Sequence, residues 1–200
     1  MEHAQILIYD GADELDAVAP FEILASAGFA VELVSLDPAP VVQMAHGLAL
    51  TPTRFLGPAP ELLLVPGGGW LSRAPQGAWT EAQRGVMPAA IAERHAAGSV
   101  VAGVCSGVML LAASGMLSGR PAVTHHGAMQ DLLDAGAEVN PCARVVDDGD
   151  VLTAGGVTSA IDLALHLVRR ERGTAAARTA ARRIEHVPSG PVVEVLRSSS

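Results

Sequence analysis

The chain has 200 residues, half of them hydrophobic and 17% charged, which excludes disorder over most of its length and is enough for one domain with a substantial core. A formal net charge of -8, with no lysine among the thirteen basic residues, argues against a nucleic-acid backbone as partner, because that contact depends on clustered positive charge. Two cysteines make no disulfide framework, and a free thiol in a reducing cytoplasm is expected instead.

Gln5 to Tyr9 reads as a buried strand closed by the Asp10-Gly11 turn; the run is too short, and too soon interrupted by Asp10, to read as an export signal. Leu15, Val18, Phe21, Ile23, Leu24 and Ala27 predict a helix over 15–27 with Pro20 in its first turns and Gly28 as its stop. A second strand follows over 30–36. Five prolines between Asp37 and Pro60 punctuate short apolar runs at 41–44 and 48–50, which predict a small ribbon outside the main sheet.

Glu61 to Val65 is a strand closed by Pro66-Gly67-Gly68-Gly69-Trp70. The three glycines leave backbone N–H groups at a sheet edge. They form no dinucleotide or phosphate fingerprint, since neither Gly-x-Gly-x-x-Gly nor a following Lys is present, and no cofactor is expected. Helix is predicted over 80–97, a strand over 99–104, and a helix from Val108. Ala96 to Gly119 lacks charge and is long enough to cross a bilayer, but glycines and serines interrupt it, so a buried strand, bend and helix are expected and no membrane span.

Pro121 to Thr124 reads as a brief strand ending in His125-His126, followed by a helix over 127–135 with Gly136 as its cap. A hairpin is predicted from 143–146 and 151–154, then helices over 160–170 and 174–185. The arginines of these last helices fall at helical spacing among glutamates and read as a solvated face. A single domain over 1–187 and a loosely held tail over 188–200 are expected. Strands alternating with helices imply an α/β fold with a mostly parallel central sheet covered on both faces, plus a small β-hairpin. The loops after the strands ending near 9, 65 and 104 converge at one edge of such a sheet, where a small-molecule ligand binds.

Cys105 lies at the junction of strand and helix within Gly103-Val104-Cys105-Ser106-Gly107. That is the spacing of a nucleophile elbow carrying a thiol, and the amino end of the following helix favours the thiolate. A buried, inert cysteine is the alternative. Among the acidic residues after the first strand, Asp16 is flanked by Leu15 and Ala17-Val18, a setting that raises a carboxyl pKa and suits it to moving a proton near Cys105. Glu22 falls one to two turns further along the same helix. His125 is a candidate pocket wall or proton donor, because adjacent histidines on a strand point to opposite sides. The other histidines show no ligand spacing, so no metal is expected, and Cys142 reads as structural.

Leu15-Asp16-Ala17-Val18-Ala19-Pro20-Phe21-Glu22, Leu64-Val65-Pro66-Gly67-Gly68, Gly103-Val104-Cys105-Ser106-Gly107, Thr124-His125 and the run from Thr153 to Asp162 occur in an order that resembles the ThiJ/PfpI superfamily, up to about residue 186. The resemblance implies a class I glutamine amidotransferase-like, flavodoxin-like three-layer sandwich and a homodimer. It makes Cys105 the nucleophile and Asp16 the carboxyl group at its sulfur, with the backbone N–H groups of Gly68 and Ser106 polarising the substrate. The Cys-Ser-Gly elbow, the aspartate and Ala154-Gly155-Gly156-Val157-Thr158 are similar to the isocyanide hydratase branch, which implies addition of water to an isocyanide. That branch usually carries Thr after the cysteine and Trp after the histidine, where this chain has Ser106 and His126. A glyoxalase or deglycase on 2-oxoaldehydes, using His125, is one alternative, although the acid of those members is generally Glu. A non-catalytic redox sensor or ligand-binding protein is another, since Glu22 within Ala-Pro-Phe-Glu resembles the sensor half of AraC-type regulators. The protease branch has His directly after the cysteine, where Ser106 stands here.

Overall fold

The computed structural model describes residues 1–37 and 41–195. Its strands are β1 (His3–Leu7), β2 (Ala30–Ser35), β3 (Val42–Gln43), β4 (Ala49–Leu50), β5 (Arg54–Phe55), β6 (Leu62–Val65), β7 (Val100–Val104), β8 (Pro121–Ala122), β9 (Glu138–Val139), β10 (Val145–Asp147), β11 (Val151–Ala154) and β12 (Val192–Glu194). Its helices are α1 (Glu14–Ser26), α2 (Ala78–Arg84), α3 (Val86–Ala96), α4 (Val108–Ala113), α5 (Met129–Asp134) and α6 (Ser159–Arg183).

Eight strands form one sheet in the order β12-β10-β11-β7-β6-β1-β2-β5, and every neighbouring pair is parallel except β10 with β11. A parallel strand covered on both faces has to be apolar at every position, and Leu62 to Val65 is buried throughout for that reason. Its register sets Ile6 beside Leu64 and Leu64 beside Ala102, so the centre of the sheet is a layer of fully buried aliphatic side chains. The chain leaves β1 toward β2 in one direction and β6 toward β7 in the other. Right-handed crossovers therefore put α1 on one face and α2 with α3 on the opposite one. α6 packs against α1, and α4 against α2 and α3. The carboxyl ends of β1 and β6 flank the point where the order reverses, the crevice in which open α/β sheets hold ligands.

Several elements differ from expectation. The helix expected over 80–97 is broken in two by Gly85, whose φ of +73° ends α2 in a left-handed cap. The expected hairpin does form, from β10 and β11 within the central sheet, and the expected separate ribbon is β3 with β4, where the 41–50 runs place it. Pro121 to Thr124 yields only the two-residue β8, paired with β9 outside the main sheet. The helices expected over 160–170 and 174–185 are the two arms of α6, bent at Gly173. The tail expected to be loose supplies β12, with Val192 opposite Val145, because β10 would otherwise leave its ladder groups open at the sheet's edge. The remainder of that tail, 196–200, lies outside the described residues. No described helix is long and apolar enough to cross a membrane.

Candidate active site

Cys105 directly follows β7 and turns with φ at +52°, a left-handed conformation that costs a residue with a Cβ roughly 1–2 kcal/mol. Its neighbours hold it there. The Cys105 N–H donates to the Gly155 carbonyl at 3.1 Å, and its own carbonyl accepts from the Thr124 hydroxyl at 2.7 Å. Glycine is required on either side by close approach. A Cβ on Gly107 would lie 2.3 Å from the Val65 carbonyl oxygen, and one on Gly103 would lie 3.0 Å from the Val108 Cα. The Gly-x-Cys-x-Gly spacing is thus a packing requirement of the bend against β6 and α4.

Asp16 comes from the first turn of α1, which Asp13 caps by accepting the Leu15 N–H at 3.1 Å. Its side chain is completely buried. Oδ2 accepts the Gly67 N–H at 2.9 Å, while Oδ1 has no hydrogen-bond partner among the described residues. Burial pushes the carboxyl well above its ordinary range, opposed by the Gly67 N–H. The Asp16 charge in turn acts on the sulfur. Burial first, and the Asp16 carboxylate second, push the Cys105 thiol up to about 12, against the pull of the Val157 and Ser106 backbone N–H groups. Each of the two groups resists ionisation, and charge on Asp16 opposes charge on the sulfur.

The Pro66-Gly67-Gly68 loop joins acid to elbow. Gly67 accepts the Asp13 N–H at 2.7 Å, and the Gly68 N–H donates to Ser106 Oγ at 2.9 Å. Gly68 has φ of +124°, and a Cβ there would sit 2.3 Å from the Gly11 carbonyl oxygen, so only glycine lets the three loops close on one another. Tyr9 fastens the loop from below, donating to the Pro66 carbonyl at 2.6 Å. Beyond it, Trp70 donates to Asp131 at 2.6 Å and packs edge-on against Trp79.

The model of the DJ-1/PfpI family matches residues 2–170. The chain belongs to the DJ-1/PfpI family. It is 34% identical over 188 residues to isonitrile hydratase of Pseudomonas putida, covering 92% of this chain and 78% of that protein. It is 26% identical over 178 residues to the Parkinson disease protein 7 homolog of Danio rerio, covering 86% and 90%. A crystal structure of a ThiJ/PfpI family protein from Pseudomonas syringae superposes with a TM-score of 0.81 at 28% identity, covering 95% of this chain and 77% of that one.

In this DJ-1/PfpI protein the bend is as sharp as the spacing predicts, but its exposure and charge are not. Cys105 is only 6% exposed and its thiol holds its proton, where a helix-activated thiolate was expected. The reason is that one 3-10 turn, Cys105–Gly107, precedes the six-residue α4, and its N–H groups are outweighed by burial and by Asp16. Gly68 differs too: its N–H is occupied by the Ser106 hydroxyl and does not point unbound at a substrate. Glu22 does not join the site. It is exposed and pairs with Arg183 at 2.7 Å, because six residues along α1 turn it away from Asp16 toward α6.

His125 is half-buried, with its ring against Gly156 and its Nδ1 accepting the Gly127 N–H at 3.1 Å; burial, and then His126, hold it below the usual histidine range. Thr124, Gly155 and Val157 grip Cys105 directly, yet the sequence reading passed over their roles. The signal was the Gly155-Gly156 pair just after β11, the parallel neighbour of β7. Among the described residues one trio of metal-ligand type comes together, Asp13, Glu14 and His46, with donor atoms within 4.8 Å. His46 Nδ1 already lies 2.7 Å from Glu14 Oε2, and Asp13 accepts the Leu15 N–H at the start of α1.

Proposed function

We propose that this protein hydrates a small isocyanide to an N-substituted formamide through a Cys105 thioimidate. The observation that carries the reading is the pairing of a protonated thiol with a buried carboxyl group whose Oδ1 has no partner among the described residues. An isocyanide carbon must receive both a nucleophile and a proton, and this pair supplies them together. As sulfur bonds to the terminal carbon, the thiol proton passes by way of Asp16 to that same carbon, leaving R–N=CH–S–Cys105. Water then adds: its oxygen bonds to the carbon and, with Asp16 as relay, a proton reaches the nitrogen. The C–S bond breaks as the remaining hydroxyl proton returns to sulfur, which releases R–NH–CHO. The thiol and Asp16 end as they began.

The Val157 and Ser106 N–H groups, which favour negative charge on the sulfur, stabilise it as the proton leaves. Similarity to isonitrile hydratase supports the same reading. Formamide production by wild type, Cys105→Ala and Asp16→Asn tests it, and undiminished turnover in Cys105→Ala refutes it. The raised thiol weighs against the redox-sensor alternative, since the thiolate is the form that oxidises. Methylglyoxal loss in the same preparation tests the 2-oxoaldehyde alternative. A cytoplasmic homodimer completes the proposal. Leu15, Val18 and Phe21 expose an apolar ridge on α1 beside Asp16, a surface suited to a second copy, and native mass spectrometry reads the outcome.

A further inference from the structure

A cavity of ≈ 400 Å³ adjoins the elbow: Cys105 itself is not in its lining, but three of its wall residues act on Cys105. Gly155 accepts its N–H, Thr124 donates to its carbonyl, and the Val157 N–H favours charge on its sulfur. The cavity and the elbow therefore share a wall.

Its lining is selective in two ways. Among the described residues that line it, Arg144 carries the permanent charge, and that charge is committed. Arg144 donates through Nε and Nη2 to Asp162 Oδ2 at 2.9 and 2.6 Å, and through Nη2 to Thr158 Oγ1 at 3.1 Å, so its charge is matched by a buried carboxylate. Its surfaces also suit a flat ring. The His125 and His126 imidazoles stack with centroids 4.2 Å apart and planes tilted 33°, and Met129 and Pro141 contribute a thioether and a pyrrolidine to the same cavity. Aromatic groups favour stacked rings and thioether contacts, each worth a fraction of a kcal/mol to about 1.5 kcal/mol.

We infer that this cavity is the subsite for the substrate's N-substituent and that it selects an uncharged aryl group over a small alkyl group or a charged aryl one. The inference rests on the isocyanide reading, and two measurements separate them. In protein labelled at its methionine methyls, with Met129 assigned from Met129→Leu, formanilide shifts the Met129 signal by its ring current. N-methylformamide and 4-formamidobenzoate at equal concentration do not. In kinetics, the ratio of kcat/KM for phenyl isocyanide to that for methyl isocyanide falls about tenfold in Met129→Trp, whose indole fills the cavity.

A Met129 signal that formanilide leaves in place overturns the subsite, as does one that 4-formamidobenzoate moves equally. An unchanged kinetic ratio in folded Met129→Trp also overturns it. If formanilide moves Met129 but no isocyanide is hydrated, the aryl preference of the cavity stands and the hydratase reading falls. The spectroscopic arm decides the matter even where Met129→Trp fails to fold.

Discussion

Replacing Thr124 by Val removes a single hydroxyl from a fully buried side chain at nearly constant volume. The bond lost is the 2.7 Å contact to the Cys105 carbonyl. That carbonyl keeps the Val108 N–H, so it is not orphaned, and the cost is that of one net hydrogen bond, about 1 kcal/mol. For a chain of this size that lowers Tm by about 2–4 °C. The same energy matters more to the bend, whose left-handed conformation itself stores roughly 1–2 kcal/mol. Losing a restraint of similar size lets the elbow relax, and about 1 kcal/mol corresponds to about a fivefold change in that equilibrium. Turnover per folded molecule is therefore expected to fall by up to about fivefold, with KM little changed. Calorimetry reads the first quantity and formamide formation the second. Thr124→Ser keeps the hydroxyl and loses a methyl, so it restores turnover while remaining less stable than wild type. A Thr124→Val protein with reduced Tm and wild-type kcat would show that this hydroxyl does not hold the nucleophile.

Asp16 is buried and its folded-state carboxyl is raised, so the native state binds its proton more tightly than the unfolded state does. The penalty is absent at pH below the unfolded carboxyl range, grows as pH rises through it, and is complete above the folded value. Asp16→Asn is therefore expected to gain stability relative to wild type as pH climbs from about 3 to 7, measured by urea denaturation; a difference that does not change with pH refutes the assignment. Cys105 labelling by iodoacetamide, followed on its own peptide because Cys142 is exposed, should keep accelerating up to pH 10 without a plateau, as a thiol pushed up to about 12 requires. In Asp16→Asn the neighbouring charge is gone, so labelling at a given pH is faster. Glu22→Gln breaks only an exposed ion pair with Arg183, worth about 1 kcal/mol or less, and leaves formamide production at the wild-type rate. Gly107→Ala, which drives a Cβ toward the Val65 carbonyl, lowers stability by about 1–3 kcal/mol or more in a melting experiment.

The layered α/β fold was legible because strands buried on both faces have no polar alternation to confuse them: Leu62 to Val65 and Val100 to Val104 announce themselves as short apolar runs. The bend at Cys105 was legible through its flanking glycines, and the burial of Asp16 through its apolar neighbours. Glu22 was misplaced because its position along α1 gives distance without direction, and its partner Arg183 comes from the far end of α6. β12 was missed because an edge strand forms when a neighbour is open, and β10 is open only once the sheet is assembled.

Sequence by itself determined which apolar runs become the central strands, the bend at Cys105 and the acid on the first helix, since each depends on local sterics or on apolar pattern. Tertiary structure alone decided the thiol's charge, the Ser106 hydroxyl on the Gly68 N–H, and the grip of Thr124, Gly155 and Val157 on the elbow. Burial and the approach of a carboxylate come from segments far apart in the chain, and a proton's affinity answers to the sum of what surrounds it.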